Sequence, residues 1–226
     1  MKKKRRFLPT GYDIVVFDCD STLAEIEGID LLAKRLGREK EVATLTNQAM
    51  NGKINFEDVF PARLNLIKPK RKDLEWLGRQ YIKHQVKDAK RVIRKLQNLG
   101  KKVYIVTAAY ETPVKKFATY LGIPAENVFT VELKFGRDEE YLGYNTKNPL
   151  IKNKGKRKVL QELAKFGSLL FVGDGATDLE AKDVVDTFVG FGGAVCRPVV
   201  REKADIFINL KTLIPIVALA QGVKGK

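Results

Sequence analysis

The stretch Val15–Ala24, VVFDCDSTLA, runs from apolar residues into two aspartates, Asp18 and Asp20, with one cysteine between them. Like charges this close repel, and no basic residue in the run neutralises them. A metal ion is the simplest partner from outside the stretch. Further along come a threonine closing an apolar run, Thr107 in YIVTAAY, and a second acidic pair, Asp174 and Asp178, in GDGATD. If their elements converge, four carboxylates and a hydroxyl share one crevice with tight glycine turns. Asp18, Asp20 and Asp174 could then offer oxygens to Mg²⁺, which prefers one or two carboxylates plus water and a substrate phosphate. A metal would make Asp18 tolerable as an anion that attacks phosphorus, and would leave Asp20 for acid–base work.

The elements that must position these groups are legible. DIVVF (13–17), KVYIV (102–106), SLLFV (168–172) and TFVGF (187–191) are short and almost continuously apolar, as strands buried on both faces are. Helical stretches separate them: PVKKFATYLG closes on Gly122 and KRKVLQELAKFG on Gly167. The alternation predicts an α/β fold with a Rossmann-like three-layer parallel sheet and right-handed crossovers. In such a sheet ligands bind beyond the carboxyl ends of the strands, where these polar residues fall.

Between residues 24 and 102 the sequence shows no convincing strand and several helical stretches, more than one crossover needs. This predicts a helical cap over 25–87, a catalytic core formed by 11–24 and 88–226, and a basic tail over 1–10. The segment VFTVELKFGRDEEYLGYN predicts a β-hairpin turning near 136–139.

The composition, 44% hydrophobic and 31% charged over 226 residues, is that of a globular protein, and no apolar run approaches the ~20 residues of a membrane span. MKKKRRFLPTG has a basic front without an apolar region behind it, so a secretory signal is not expected. Two cysteines, Cys19 and Cys196, make no disulfide framework, which points to a reduced, cytoplasmic protein. The net charge of +15 is concentrated at Lys2–Arg6, at Lys152–Lys158 and along a helix carrying Lys87, Lys90, Arg91, Arg94 and Lys95. A nucleic-acid partner is electrostatically conceivable. The charges are scattered, however, and no aromatic–glycine signature accompanies them, so solvated faces and an anion-attracting field are the better reading.

FDCDSTL resembles the first motif of the haloacid-dehalogenase (HAD) superfamily, D-x-D-x-T; IVTA is similar to its second motif and GDGATD to its fourth. STLAEIEGIDLLAK, MNGKINFEDVFPARLNLI, NVFTVELKF and GFGGAVCRPVVREKAD extend the likeness, closest to the phosphoserine phosphatase branch, over nearly the whole chain. The resemblance implies a Mg²⁺-dependent phosphatase releasing serine and phosphate from O-phospho-L-serine, the last step of serine biosynthesis, as a monomer or homodimer. It implies Asp18 as nucleophile, Asp20 as acid–base, Thr107 as phosphoryl-binding hydroxyl, Asp174 as a metal ligand beside the other two, and Asp178 behind them. A phosphate-neutralising lysine is expected at the start of a helix. The ungapped match to VLQEL selects Lys156, whereas the local Lys-Gly pair favours Lys154; Lys156 is taken. Substrate contacts are implied for Glu27, Met50, Phe56, Arg63, Ala108 and Thr177.

Chemistry supports the substrate set independently. Arg63 can fork onto a carboxylate and Glu27 can pair with an ammonium. Bland alternatives stand beside each: Asp18 and Asp20 in an ordinary turn, Arg63 on the surface, Glu27 opening a helix, Met50 and Phe56 as core. His84 is expected at the surface and Trp76 in the cap interior. Thr107-Ala108-Ala109 departs from the Ser-Gly-Gly of the resemblance, and a Cβ there would penalise any positive φ. That departure keeps open another small phosphomonoester as substrate, or phosphoryl transfer to an alcohol. A reading of another class is a basic nucleic-acid-binding protein on an inactive HAD scaffold.

Overall fold

The computed structural model describes residues 11–222 except 51 and 52; the side chain of Met50 also lies outside the described residues. In chain order the elements are β1 (Ile14–Phe17), α1 (Gly28–Arg35), α2 (Glu39–Met50), α3 (Phe56–Ile67), α4 (Arg71–Lys83), α5 (Ala89–Asn98), β2 (Lys102–Tyr110), α6 (Glu111–Leu121) and β3 (Val128–Val131). There follow β4 (Leu133–Phe135), β5 (Tyr141–Tyr144), α7 (Gly155–Leu163), β6 (Leu169–Gly173), α8 (Ala176–Leu179), β7 (Thr187–Phe191), α9 (Pro198–Lys203), β8 (Ile206–Ile208) and α10 (Ile214–Gln221).

Six strands form one sheet in the order β3-β2-β1-β6-β7-β8, and every pairing in it is parallel. The apolar runs explain it: β1, β6 and β7 are buried at every position, so helices must cover both faces. On α5 the buried residues Ala89, Val92, Ile93 and Leu96 recur at helical spacing, while Lys90, Arg91, Arg94 and Lys95 are exposed. α6 ends on Gly122 at φ 83°, a left-handed cap that glycine adopts without a Cβ penalty.

Three expectations are corrected. β2 does not stop at Val106 but runs to Tyr110, with a register shift against β3 that carries Thr107-Ala108-Ala109 in the strand. The first arm of the expected hairpin, Val128–Val131, is instead a strand of the main sheet. The hairpin is only β4 with β5, closed by the Gly136 amide on the Glu140 carbonyl. The continuous run VFTVELKF concealed this break. The edge strand β8 was also missed: three residues are too few to show a period.

Register sets the site. Phe17 pairs with Ile105 on one side and Val172 on the other, so Asp18 and Asp174 leave β1 and β6 at nearly the level of Thr107 in β2. The Asp18 amide donates to the Val172 carbonyl at 2.9 Å and locks the first of these exits.

Helices α1–α4 lie between β1 and β2 in sequence. Their two connections run side by side: Ala24 bridges Gln85 antiparallel, the Glu25 amide donates to the His84 carbonyl, and the Val86 amide donates to the Leu23 carbonyl. Within the insertion α1 packs on α2 and α2 on α3, while α4 lies along α6. Trp76 is partly buried with the Arg35 guanidinium 4.6 Å from its ring centre. No described helix is long and apolar enough to cross a membrane.

The centre of the sheet carries the core, where Phe171 is fully buried with its ring 5.6 Å from that of Phe188. Phe171→Ala should lower unfolding stability by about 3–5 kcal/mol in urea titration, the cost of emptying a packed aromatic site. A loss under about 1 kcal/mol would mean that the strand faces are not the main core.

Candidate active site

The loop after β1 folds back on itself. The Leu23 and Ala24 amides bond to the Cys19 carbonyl, and Ser21 takes φ 51°, a conformation that a short polar side chain tolerates. This turn aims Asp18 and Asp20 in different directions. Asp18 is buried; its Oδ1 accepts from the Cys19 amide at 2.8 Å and its Oδ2 lies 2.8 Å from the Lys156 ammonium. Asp20 turns toward the helical insertion, where its Oδ1 accepts the Tyr81 phenol at 2.6 Å.

Lys156, not Lys154, meets the carboxylates. Lys154 is exposed, sits at φ 58° and precedes α7; Lys156 is buried in the first turn, 2.6 Å from Asp178 and 2.8 Å from Asp18. Burial opposes its charge, but the Asp178 and Asp18 carboxylates outweigh that and hold the ammonium above the ordinary lysine value. The Lys-Gly pair has another cause: a Cβ on Gly155 would overlap the Pro149 carbonyl.

After β6, Gly175 and Asp178 open the short α8, with the Gly175 amide donating to Asp178 Oδ2 at 2.8 Å. Thr22 donates to Asp174 Oδ1 at 3.1 Å. Arg197, just before α9, was given no role by the sequence. Its Nε donates to Asp174 Oδ2 at 3.0 Å and its terminal nitrogen to Glu27 Oε1 at 2.9 Å, an oxygen that also accepts from Ser21. The single arginine tethers the insertion to the sheet; no motif announces it.

Asp18, Asp174 and Asp178 place ligand oxygens within 4.8 Å of one another, all buried. The expected Asp20 carboxylate is not part of this group; its Oδ1 accepts from Tyr81. The donor set fits a hard cation. Asp174 is driven well up by burial and by its acidic neighbours Glu27, Asp178 and Asp18, with Arg197 opposing. Such mutual repulsion is what a divalent ion relieves.

One cavity collects the rest: Asp18, Asp20, Thr107, Ala108, Lys156, Asp174 and Thr177 face Glu27, Phe56 and Arg63 across it. Phe60, Tyr81 and Tyr110 also line it and were missed, since single aromatic residues on α3, on α4 and at the end of β2 look like core. The Met50 side chain lies outside the described residues. Thr107 Oγ1 accepts from the Ala109 amide at 3.2 Å, so its own proton is free to donate. Neither alanine has a positive φ, and the expected Cβ penalty does not arise in this extended strand; both residues are part of the cavity lining.

Arg63 is buried within α3. It donates to Thr46 Oγ1 at 3.1 Å, the Thr46 hydroxyl donates to Asp30 Oδ1 at 2.6 Å, and the Arg63 Nε has no partner among the described residues. The Phe56 ring centre lies 5.5 Å from the guanidinium.

Burial pushes Asp178 up to about 6 despite Lys156, and burial likewise raises Asp174, Asp20 and Glu27. Folded protein therefore holds protons that the unfolded chain has already lost above about pH 4. Stability should fall as pH rises from about 4 to about 6. Metal-free protein should gain more melting temperature between pH 7 and pH 5 than its Asp178→Asn variant does. Equal gains in both would contradict the raised carboxyl.

A family model for haloacid dehalogenase-like hydrolases matches residues 12–181. The chain is 38% identical over 200 residues to phosphoserine phosphatase of Bos taurus, covering 87% of this chain and 89% of that one. It is 30% identical over 228 residues to phosphoserine phosphatase of Methanocaldococcus jannaschii, covering 96% and 98%. Among solved structures it resembles a phospho-aspartyl intermediate analogue of phosphoserine phosphatase, with TM-score 0.79 and 29% identity over 92% of this chain and 98% of that one. A substrate-bound phosphoserine phosphatase complex gives TM-score 0.79 and 29% identity over 91% and 96%. With Asp18, Thr107, Lys156 and Asp174 gathered at the strand ends, the chain belongs to the haloacid dehalogenase-like hydrolases, in the phosphoserine phosphatase family.

Proposed function

We propose that this chain hydrolyses O-phospho-L-serine to L-serine and phosphate through an aspartyl-phosphate on Asp18, as the last step of serine biosynthesis in the cytoplasm. The observation that carries the substrate is Arg63: a buried guanidinium with an unpartnered Nε in the wall of the cavity that holds Asp18. An unsatisfied buried donor costs about 1–3 kcal/mol, and a substrate carboxylate would remove that cost with a charge-assisted pair. Glu27, in the same wall, supplies the negative charge for the substrate ammonium.

The roles follow from the contacts. Asp18 attacks phosphorus; the bond to the serine oxygen breaks as the bond to the carboxylate forms. Lys156, between Asp18 and Asp178, offsets the negative charge that accumulates when phosphate approaches the carboxylates. The Thr107 hydroxyl donates to a phosphoryl oxygen. Asp20 gives a proton to the departing serine oxygen and later takes one from the water that cleaves the aspartyl-phosphate. Mg²⁺, held by Asp18 and Asp174 with Asp178 beside them, would neutralise phosphate oxygens and template their geometry.

Residues 25–87 serve as the cap that reads the amino acid. The paired connections at 24–25 and 84–86 form its hinge, and α4, lying along α6, is its fixed edge. Closure over substrate would exclude water before transfer. The exposed basic face of α5 is solvated, and no observation favours the nucleic-acid reading.

Lys156→Ala should reduce kcat on phosphoserine by about 10²–10³, the scale for removing one charge-stabilising donor. Lys154→Ala should change it less than threefold or so, as a solvated charge would. Equal losses in the two variants would remove Lys156 from the mechanism.

Arg63→Lys keeps the charge and loses the planar fork. It should lower kcat/KM for phosphoserine about 10- to 150-fold, the equivalent of one hydrogen bond to a charged group. Phosphoethanolamine, which lacks the carboxylate, should be almost unaffected. Equal slowing of both substrates would show that Arg63 supports packing, and the amino-acid reading of the cap would fall.

A further inference from the structure

Tyr81 is placed with more care than a buried phenol needs. Its ring is fully buried and stacks on Phe117 of α6, with centroids 5.7 Å apart and planes inclined by 16°. Because α4 lies along α6, this stacking fixes the ring against the sheet side of the molecule. The hydroxyl then projects past Gly28, the first residue of α1, and ends 2.6 Å from Asp20 Oδ1. A Cβ at Gly28 would overlap the phenol oxygen, so the glycine leaves the space through which the hydroxyl reaches Asp20. The ring stacking on α6 and the gap left by Gly28 thus both serve to bring the Tyr81 hydroxyl to one carboxyl group.

We propose that Tyr81 is a positioning residue for proton transfer: by occupying Oδ1 of Asp20 it fixes the carboxyl plane and leaves Oδ2 to exchange the proton with the substrate. The inference rests on the reading of Asp20 as the acid–base. In the first step the proton leaves Asp20 Oδ2 for the serine oxygen while the phosphorus–oxygen bond breaks and the bond to Asp18 forms. Tyr81 keeps its own proton throughout. In the second step Oδ2 takes a proton from the attacking water, and the phenol again only holds the other oxygen.

A buried tyrosine that merely found an acceptor would affect every substrate alike when lost. A positioning residue should matter only where a proton must be delivered. Phosphoserine expels an alkoxide and needs the proton; acetyl phosphate expels a carboxylate and does not. Both substrates reach the same aspartyl-phosphate, and kcat/KM reports only the steps up to it when it forms irreversibly. Tyr81→Phe keeps the stacked ring and removes the hydroxyl. Its kcat/KM should fall about 10- to 100-fold on phosphoserine, part of the 10²–10⁴ that general acid catalysis supplies, and by less than about threefold on acetyl phosphate.

Asp20→Asn separates the two ideas. It should show the same selectivity on a larger scale; if it slows both substrates equally, the acid–base reading of Asp20 is wrong. If Asp20→Asn is selective and Tyr81→Phe slows both substrates equally or neither, Tyr81 does not position the acid, and the inference is overturned. Gly28→Ala provides a second route with Tyr81 intact. The added methyl should displace the hydroxyl and reproduce the selective loss, yet cost less on top of Tyr81→Phe than it does alone, because the shortest contact goes with the oxygen while those to the ring carbon and Leu77 remain. Additive losses in that double variant would also overturn the proposal.

Discussion

The repulsion among carboxylates at the ends of β1 and β6 is the constraint on which the structure depends. Asp18, Asp174 and Asp178 are buried within reach of one another, and Asp20 and Glu27 lie in the same cavity wall. Burying one such charge unpaired costs several kcal/mol; leaving a group of them unpaired would unfold these strand ends or neutralise the acids. Two cations answer this locally. Lys156 sits between Asp18 and Asp178, and Arg197 between Asp174 and Glu27. The carboxylates still outnumber them, and that excess is the electrostatic reason for a divalent ion at this place.

The same constraint explains why the cations come from where they do. A lysine in the first turn of a helix would ordinarily be disfavoured, since the N-terminus already carries partial positive charge. Lys156 sits there nonetheless, buried, because two carboxylates hold it. Arg197 precedes α9 in a comparable way and spans from the sheet to the insertion. Arginine suits that task better than lysine: its rigid fork can satisfy two acceptors on different elements at once. Removing either cation would leave charge buried, so each is structural and electrostatic together.

Much of this was legible in the sequence, and the reason is geometric. Strands that end in a parallel sheet deliver the next one or two residues to one crevice, so Asp18 and Asp174 could be placed from their apolar runs alone, and Thr107 falls beside them by register although β2 continues past it. Lys156 was legible only as one of two lysines, because the cue at Gly155 answers to the Pro149 carbonyl and not to the phosphate side. Arg197 and Tyr81 were not legible. Each is a single residue, 170 and 61 positions from the group it holds, with no spacing rule connecting it to that group. Strand β3 was taken for a hairpin arm for a different reason: only Glu132 separates it from β4, and no turn residue marks where the main sheet ends and the hairpin begins.

The alanines after Thr107 show how a local rule can give the wrong worry and the right place. Alanine matters there if the backbone must adopt positive φ, yet β2 remains extended through Tyr110 and both residues stand in ordinary strand geometry. The substitution therefore carries no backbone strain, and both residues stand in the wall of the cavity that Asp18 and Arg63 also line. A strand can supply amide donors while remaining stiff, whereas a glycine pair lets the loop adapt to its ligand. Phe60 and Tyr110 stand edge to face in the same wall, with ring centres 6.3 Å apart. Aromatic surface and the charged groups Arg63 and Glu27 thus border one cavity, so a molecule entering it meets a limit of shape and a limit of charge together.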